Sequence, residues 1–199
     1  MIYYFTYFFT KFLSLLWFPR NVKNLENMPP KGAFILASNH ISNLDPPILG
    51  ISTRRPLHYM AKSELFKNPL VGWWLKKLGA FPIKRGEADF GALKEALKFL
   101  KKGEPVLVFV EGTRRIGDTP SRAQSGAGFL AMKANAPVLP VYISGSQHVM
   151  PPGSKGFHRS GVTITYGKPF TVSPSLSYQQ ASQEILEHIY YLAGTSKQK

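Results

Sequence analysis

Hydrophobic residues fill most of the first 18 positions, and the polar ones share one side of a helix. The polar positions are Thr6, Thr10, Lys11 and Ser14, which fall within one arc at about 100° per residue. A spanning helix needs roughly 20 apolar residues and tolerates a central lysine poorly. A signal peptide would show a basic start and a small-residue cleavage site, and neither is present. The pattern favours an amphipathic helix in the membrane interface, with a short spanning anchor and a core-packed helix as alternatives.

Beyond prolines at positions 19, 29 and 30, short hydrophobic runs alternate with helical patterns. The runs predict strands at residues 33–38, 57–61, 80–84, 105–110, 138–143 and 162–166. Helical spacing predicts further helices at residues 63–78, 89–102, 124–135 and 177–192. This alternation predicts an α/β fold with a mostly parallel central sheet flanked by helices. We therefore divide the chain into an amphipathic membrane-associating segment, residues 1–24, and an α/β domain, residues 25–199.

Single residues predict two details of the helices. Pro46 and Pro47 suit the first turn of another helix, and Asp45 is expected to be its N-cap. The helical region at 63–78 is expected to break near Pro69 and Gly72, since both residues weaken a helix interior.

Composition narrows the possible functions. A length of 199 residues suits one domain with a sizeable core, and 44% hydrophobic with 18% charged residues is typical of a globular protein. The absence of cysteine excludes disulfides, thiolate metal sites and a cysteine nucleophile. The histidines are scattered, with no HExxH pattern, and no GxSxG sequence is present. A reaction through a covalent enzyme intermediate therefore lacks an obvious nucleophile, and we expect no metal and no bound cofactor.

Basic residues far outnumber acidic ones and are concentrated in one region. Lys and Arg number 25 against 11 Asp and Glu, which gives a net charge of +14. Half of this surplus lies between Gly50 and Gly86, where Trp73 and Trp74 also occur. Such a surplus favours an anionic partner, whether nucleic acid, anionic lipid or an acidic carrier protein. The aromatic residues favour a basic surface at a membrane of anionic phospholipid over a merely solvated charged face.

A polar loop with a histidine and an acid follows the strand predicted at 33–38. Sites in parallel sheets gather at the carboxyl ends of strands, and this loop carries His40 and, five positions later, Asp45. A carboxylate on one ring nitrogen fixes the tautomer and leaves the other nitrogen free as a base for a hydroxyl nucleophile. The alternative is that Asp45 only caps a helix and that His40 is an ordinary polar residue. The loop alone does not decide between these readings.

Two more strands end in unusual polar residues. The strand at 105–110 is followed by Glu111, Gly112, Thr113, Arg114 and Arg115, and the strand at 80–84 delivers Lys84 and Arg85. Guanidinium groups suit a bound phosphate, because their donors form a planar fork. A solvated turn is the alternative for the first of these loops.

In their order and spacing, these stretches resemble the 1-acylglycerol-3-phosphate acyltransferase (PlsC-like) family of glycerolipid acyltransferases. The family's first block, NHxxxxD, is matched by Asn39, His40 and Asp45. Its second block is matched by Gly79 to Arg85, its third, usually FPEGTRS, by residues 109–115, and its fourth by the proline-containing strand at 138–143. The resemblance covers roughly residues 25–170.

The resemblance implies both a reaction and a set of site residues. The reaction is direct transfer of a fatty acyl group to the sn-2 hydroxyl of 1-acylglycerol-3-phosphate, giving phosphatidic acid in phospholipid biosynthesis. His40 is implied to be the general base and Asp45 its orienting partner. The residues implied to bind the acceptor are Arg85, Glu111, Gly112, Thr113 and Arg114. The donor is implied to be acyl-CoA or acyl-ACP (acyl carrier protein), a co-substrate rather than a cofactor.

Two other functions fit part of the pattern. A non-enzymatic basic module that binds membranes or nucleic acid explains the charge but leaves His40, Asp45 and Glu111 without a role. Acyl transfer to another lyso-lipid or to glycerol-3-phosphate keeps the chemistry and changes the acceptor. We favour lysophosphatidic acid as the acceptor and expect no nucleic acid partner. We expect the protein to be membrane-associated, on the cytoplasmic face of the cell membrane.

Overall fold

The computed structural model of the protein describes residues 2–84, 89–114, 122–151 and 156–196, which fold around a seven-stranded sheet. Its strands are β1 Arg20–Lys23, β2 Ile35–Ser38, β3 His58–Lys62, β4 Ala80–Ile83, β5 Val106–Phe109, β6 Val138–Ser144 and β7 Val162–Tyr166. Their order is β1-β7-β6-β2-β5-β3-β4, and each hydrogen-bonded pair is parallel except β6 with β7. The α/β fold with a mostly parallel central sheet, predicted from the sequence, is confirmed.

Helices connect and cover these strands. They are α1 Ile2–Trp17, α2 Asp45–Gly50, α3 Pro69–Lys77, α4 Phe90–Lys101, α5 Gly126–Ala134, α6 Ser146–Val149 and α7 Tyr178–Ser196. The helical region predicted at 63–78 is interrupted just before Pro69, and the side chain of Asn68 accepts hydrogen bonds that cap α3. The break expected near Gly72 is wrong. Gly72 lies inside α3, where a Cβ would stand 3.0 Å from the backbone oxygen of Phe66, so the glycine permits close packing.

The sheet is buried on both faces, which explains why its central strands read as continuous hydrophobic runs. Alternate residues of β2 point to opposite sides, so Ile35 packs toward α4, α5 and α7 while Leu36 packs toward α2. Both residues are fully buried. A hydrophobic core therefore lies on each face of the sheet. The edge at the carboxyl ends of β2, β5 and β6 lies outside both cores and carries polar loops.

Helices α5 and α7 pack so closely that one glycine is required between them. A Cβ on Gly128 would collide with the backbone oxygen of Tyr178 and stand 2.9 Å from the Cβ of Ala181. We therefore expect Gly128→Ala to lower the free energy of unfolding by about 1–3 kcal/mol, the usual cost of overpacking. Gly194→Ala in α7 is the control, because nothing lies within 4 Å of its Cβ position. Urea unfolding measures both, and equal stability of the two variants would contradict the packing argument.

Helix α1 turns its hydrophobic side outward and Thr6, Thr10 and Ser14 of its polar side toward the protein, while Lys11 stays exposed. Ser14 is fully buried, and its hydroxyl accepts a hydrogen bond from Nε of Arg20 at 3.2 Å. Thr6 accepts one from the indole nitrogen of Trp74 at 3.3 Å. The outer side exposes a row of large apolar side chains, namely Tyr4, Phe5, Phe8, Phe9, Phe12, Leu15 and Leu16. No helix in the described ranges is both long and apolar enough to cross a membrane.

Candidate active site

The loop after β2 is fixed to the neighbouring strand before it reaches His40. The side-chain amide of Asn39 donates to the backbone oxygen of Ile143 at 2.9 Å, and its oxygen accepts from the backbone nitrogen of Ile143 at 2.8 Å. Asn39 is buried, so these bonds satisfy polar groups that water does not reach. This reciprocal pair locks the end of β2 to β6 and fixes the direction in which His40 leaves the sheet.

His40 and Asp45 form a buried pair. Nδ1 of His40 lies 2.8 Å from Oδ2 of Asp45, and the two residues are 3% and 0% exposed. A carboxylate that accepts from Nδ1 places the lone pair of the neutral ring on Nε2. The part of the chain that the structure describes provides no hydrogen-bond partner for Nε2. The two predicted residues are therefore brought together in the arrangement that a general base needs.

Every side of the Asp45 carboxylate is occupied by a donor. Oδ2 also accepts from the backbone nitrogens of Ile41 at 2.7 Å and Ser42 at 2.8 Å, while Oδ1 accepts from the hydroxyl of Ser146 at 2.6 Å. The expectation that Asp45 caps α2 is therefore wrong. Asp45 is the first residue of that helix, and its side chain turns back because the loop offers it three donors.

The imidazole of His40 stacks on a phenyl ring and faces an open groove. It stacks on Phe109 at the end of β5, with ring centroids 4.0 Å apart and planes inclined by 18°. Both rings line a groove of about 310 Å³, which is bounded by α1, α2, β3 and α3. Most of its lining is hydrophobic, including Pro47, Met60 and Leu75, with Lys62 at one side. A base beside a deep apolar groove suits a reactant with a long hydrocarbon chain.

Glu111 braces the His40 loop from the neighbouring strand end. It is buried, with Oε2 accepting from the backbone nitrogen of His40 at 2.9 Å and Oε1 accepting from the hydroxyl of Tyr190 at 2.5 Å. Both carboxylate oxygens are therefore engaged within the protein. These contacts position His40, and a contact between Glu111 and the acceptor stays a prediction.

The other predicted binding residues follow β5 at the same edge of the sheet. Gly112 forms a turn in which its nitrogen donates to the oxygen of Phe109 at 3.0 Å. Thr113 and Arg114 come directly after it and are exposed. Arg85, also predicted to bind the acceptor, lies outside the described residues. The described residues place no group of three or more His, Asp or Glu side chains where it could hold a metal ion.

Two residues of this site, Ser146 and Tyr190, were not predicted from the sequence. Ser146 follows β6, whose carboxyl end lies beside that of β2, so the same strand-end rule could have found it. Its position depends on Gly145, which has a φ of +89° and no room for a Cβ against the backbone oxygen of Gly161. Tyr190 lies in α7, 79 residues from Glu111, and no local pattern marks it.

Comparisons with known proteins agree on one family. The family model described as Acyltransferase matches residues 19–144. The 1-acyl-sn-glycerol-3-phosphate acyltransferase of Bacillus subtilis (strain 168) is 35% identical over 74% of this chain and 72% of that protein. The chloroplastic enzyme BAT2 of Brassica napus, with the same activity in its name, is 30% identical over 90% of this chain and 56% of that protein. The crystal structure of the LPA acyltransferase PlsC from Thermotoga maritima superimposes with a TM-score of 0.81 and 27% identity, covering 98% of this chain and 79% of that one.

Proposed function

The chain belongs to this acyltransferase family, and we propose that it acylates the sn-2 hydroxyl of 1-acylglycerol-3-phosphate to give phosphatidic acid. The observation that carries the proposal is the buried His40–Asp45 pair, with a free Nε2 beside an apolar groove. The names of the relatives support this acceptor. The donor is an acyl thioester of coenzyme A or of acyl carrier protein.

The proposed mechanism uses His40 first as a base and then as an acid. Nε2 takes the proton of the sn-2 hydroxyl while the hydroxyl oxygen attacks the thioester carbonyl carbon. The carbon–sulfur bond then breaks, and the departing sulfur takes that proton back from the imidazolium, so no acyl group is attached to the enzyme. Asp45 holds the ring through Nδ1 and stabilises the positive charge that forms on it. General acid–base catalysis of this kind contributes about 10²–10⁴ in rate.

The groove beside His40 supplies the binding site for an acyl chain. Its walls include Pro47, Met60 and Leu75, and the inner side of α1 closes it with Thr6 and Thr10. Because its walls are mostly hydrophobic, it suits a hydrocarbon chain rather than a charged head group. The reactive carbonyl of the donor then lies at the end of the groove where His40 stands.

A coupled assay tests the reaction itself. Purified protein is supplied with acyl-CoA or acyl-ACP and with a panel of lyso-phospholipids, and free thiol and lipid product are both measured. We expect thiol release and phosphatidic acid formation in equal amounts with 1-acylglycerol-3-phosphate. Faster transfer to glycerol-3-phosphate, or to a lyso-lipid with another head group, would contradict the proposed acceptor.

Arg114 is proposed to bind the acceptor phosphate, because it follows β5 at the edge where His40 lies and its side chain is exposed. A hydrogen bond to a charged group is worth about 1.5–3 kcal/mol. We therefore expect Arg114→Ala to raise KM for the acceptor by about 10–100-fold, with little change in KM for the donor. Lys133→Ala, an exposed cation at the far end of α5, is the control. Equal increases for both substrates would speak against a phosphate contact.

The outer side of α1 is proposed to dock on the cytoplasmic side of the cell membrane. Phe5, Phe9 and Phe12 are 72%, 54% and 61% exposed. Burial of such a side chain is worth about 1.5 kcal/mol or more, close to tenfold in binding per residue. We expect replacement of all three by serine to weaken sedimentation with lipid vesicles by at least about 100-fold. Phe90→Ser with Tyr191→Ser, exposed on the opposite face of the sheet, is the control, and equal losses would contradict docking through α1.

A further inference from the structure

A second cavity lies on the other side of α1 and takes no part in the proposed reaction. It has a volume of about 560 Å³ and lies between α1, β1 and the loop of residues 51–56. That loop leads from α2 into the start of β3, and Arg20, the first residue of β1, also lines the cavity, whereas His40 does not. It shares Tyr3, Tyr7 and Ile51 with the groove, and these residues form the wall between the two.

The cavity is lined by four cations and by no acidic residue. The cations are Lys11, Arg20, Arg54 and Arg55, and we call the space the basic cavity. Across the described ranges, none of the four is within ion-pair distance of a carboxylate. Burial lowers the pKa of Arg20, as expected for a cation withdrawn from water. The basic cavity therefore concentrates positive charge that the protein itself does not neutralise.

The guanidinium of Arg20 is held in place with part of its donor set unused. Nη1 donates to the oxygen of Ile51 at 2.7 Å and to the hydroxyl of Ser52 at 3.0 Å, and Nε donates to Ser14. Nη2 has no hydrogen-bond partner in the part of the chain that the structure describes. Lys11 and Arg54 are exposed, and in the described ranges the nitrogens of their side chains make no hydrogen bond. The ammonium of Lys11 lies over the ring of Tyr7, 5.6 Å from its centroid, and keeps its donors available. One fixed guanidinium together with two exposed cations suits the oxygens of a phosphate group.

The rim of the basic cavity belongs to the hydrophobic outer side of α1. Tyr4 and Phe8 both line the cavity and are 61% and 63% exposed. A ligand whose anionic group lies among the cations must therefore lay its remaining atoms along an aromatic surface. This combination favours an amphiphile over a free anion, which has no apolar part. It also disfavours a nucleic acid, in which the groups around each phosphate are polar or charged.

We propose that the basic cavity binds the phosphate of an anionic glycerophospholipid that belongs to the membrane and is not a reactant. The inference rests on the proposed docking of α1 and adds to it a defined head-group site. Because Tyr3 and Tyr7 belong to both cavities, a bound head group also braces the wall of the groove in which the acyl chain lies. Recognition of the membrane and the shape of the groove are thereby linked through α1.

Vesicle binding tests the site without donor or acceptor present, so its outcome is independent of catalysis. Sedimentation is compared for vesicles of phosphatidylcholine alone and with phosphatidylglycerol, and phosphatidylglycerol is expected to tighten binding. In the variant Lys11→Gln with Arg54→Gln, the increase in vesicle affinity caused by phosphatidylglycerol is expected to be smaller by about tenfold or more. The control, Lys76→Gln with Lys77→Gln, removes the same charge from the end of α3 beside the exposed Trp73 and Trp74 and is expected to lose much less. Equal losses in the two variants would overturn the head-group site in favour of diffuse attraction.

A soluble lipid separates the site from membrane docking as a whole. Dihexanoylphosphatidylglycerol below its micelle concentration is expected to bind the full chain saturably, at one molecule per protein. The Lys11→Gln with Arg54→Gln variant is expected to lose this binding, while the Lys76→Gln with Lys77→Gln control keeps it. Displacement of the lipid by inorganic phosphate at equal concentration would overturn the assignment to a lipid head group.

Discussion

His40→Ala is expected to lower kcat by at least about 10²–10⁴-fold, because it removes the only proposed acceptor for the hydroxyl proton. Folding and vesicle binding are expected to persist, since the buried carboxylate of Asp45 keeps its donors at Ile41, Ser42 and Ser146. Steady-state thiol release gives kcat, and thermal unfolding checks the fold.

The chain offers a matched control for this variant at the opposite edge of the sheet. His58 stacks on Phe99 with centroids 3.7 Å apart, and its Nε2 lies 3.0 Å from Oε2 of Glu104. It is therefore a second histidine with a carboxylate and an aromatic partner, but it lies away from the groove. His58→Ala is expected to change stability and leave kcat of the folded protein within a small factor. A His40→Ala enzyme that keeps kcat within tenfold of the wild type would refute base catalysis.

Asp45→Asn is expected to lower kcat by about 10²–10⁴-fold while costing little stability. The amide oxygen can still face His40, Ile41 and Ser42, and the amide nitrogen can donate to Ser146, so the local geometry has a satisfied alternative. What is lost is the negative charge that stabilises the imidazolium. Measuring kcat and urea unfolding on the same preparation separates the effect on catalysis from the effect on stability.

Asp45→Ala is the informative comparison for that variant. It leaves the donors of the loop and of Ser146 without an acceptor in a buried place, at about 1–3 kcal/mol for each unsatisfied group. We expect Asp45→Ala to lose both stability and kcat. The contrary result would be an Asp45→Asn protein that unfolds as readily as Asp45→Ala but keeps full kcat per folded molecule. This result would contradict a role for the carboxylate in the transition state.

Six of the seven strands and two of the polar loops were predictable, because each depends on a short stretch of sequence. Continuous hydrophobic runs mark β2 and β5, since both faces of a parallel sheet are covered. The rule that sites gather at carboxyl ends then points to His40 and Glu111. Strand β1 gave no such signal, because an edge strand of four residues with partial exposure has neither a hydrophobic run nor a clear alternation.

Contacts between distant residues explain what the sequence did not predict. Asp45 was assigned as a helix cap, yet the donors that decide its direction come from the folded loop and from Ser146, 101 residues away. Tyr190 reaches Glu111 across 79 residues. The pattern in α1 identified which residues share a side, but not that the polar side faces inward. That direction depends on Arg20 and Trp74, which offer donors to Ser14 and Thr6.

The central claim is that Nε2 of His40 receives the proton of the acceptor hydroxyl, and one distance tests it directly. A crystal structure with 1-acylglycerol-3-phosphate and a non-reactive thioether analogue of the acyl donor would give the separation between Nε2 and the sn-2 oxygen. We predict about 2.6–3.2 Å, with the acyl chain of the analogue in the groove. An sn-2 oxygen that lies on the far side of the groove, out of reach of Nε2 even through one water molecule, would contradict base catalysis by His40.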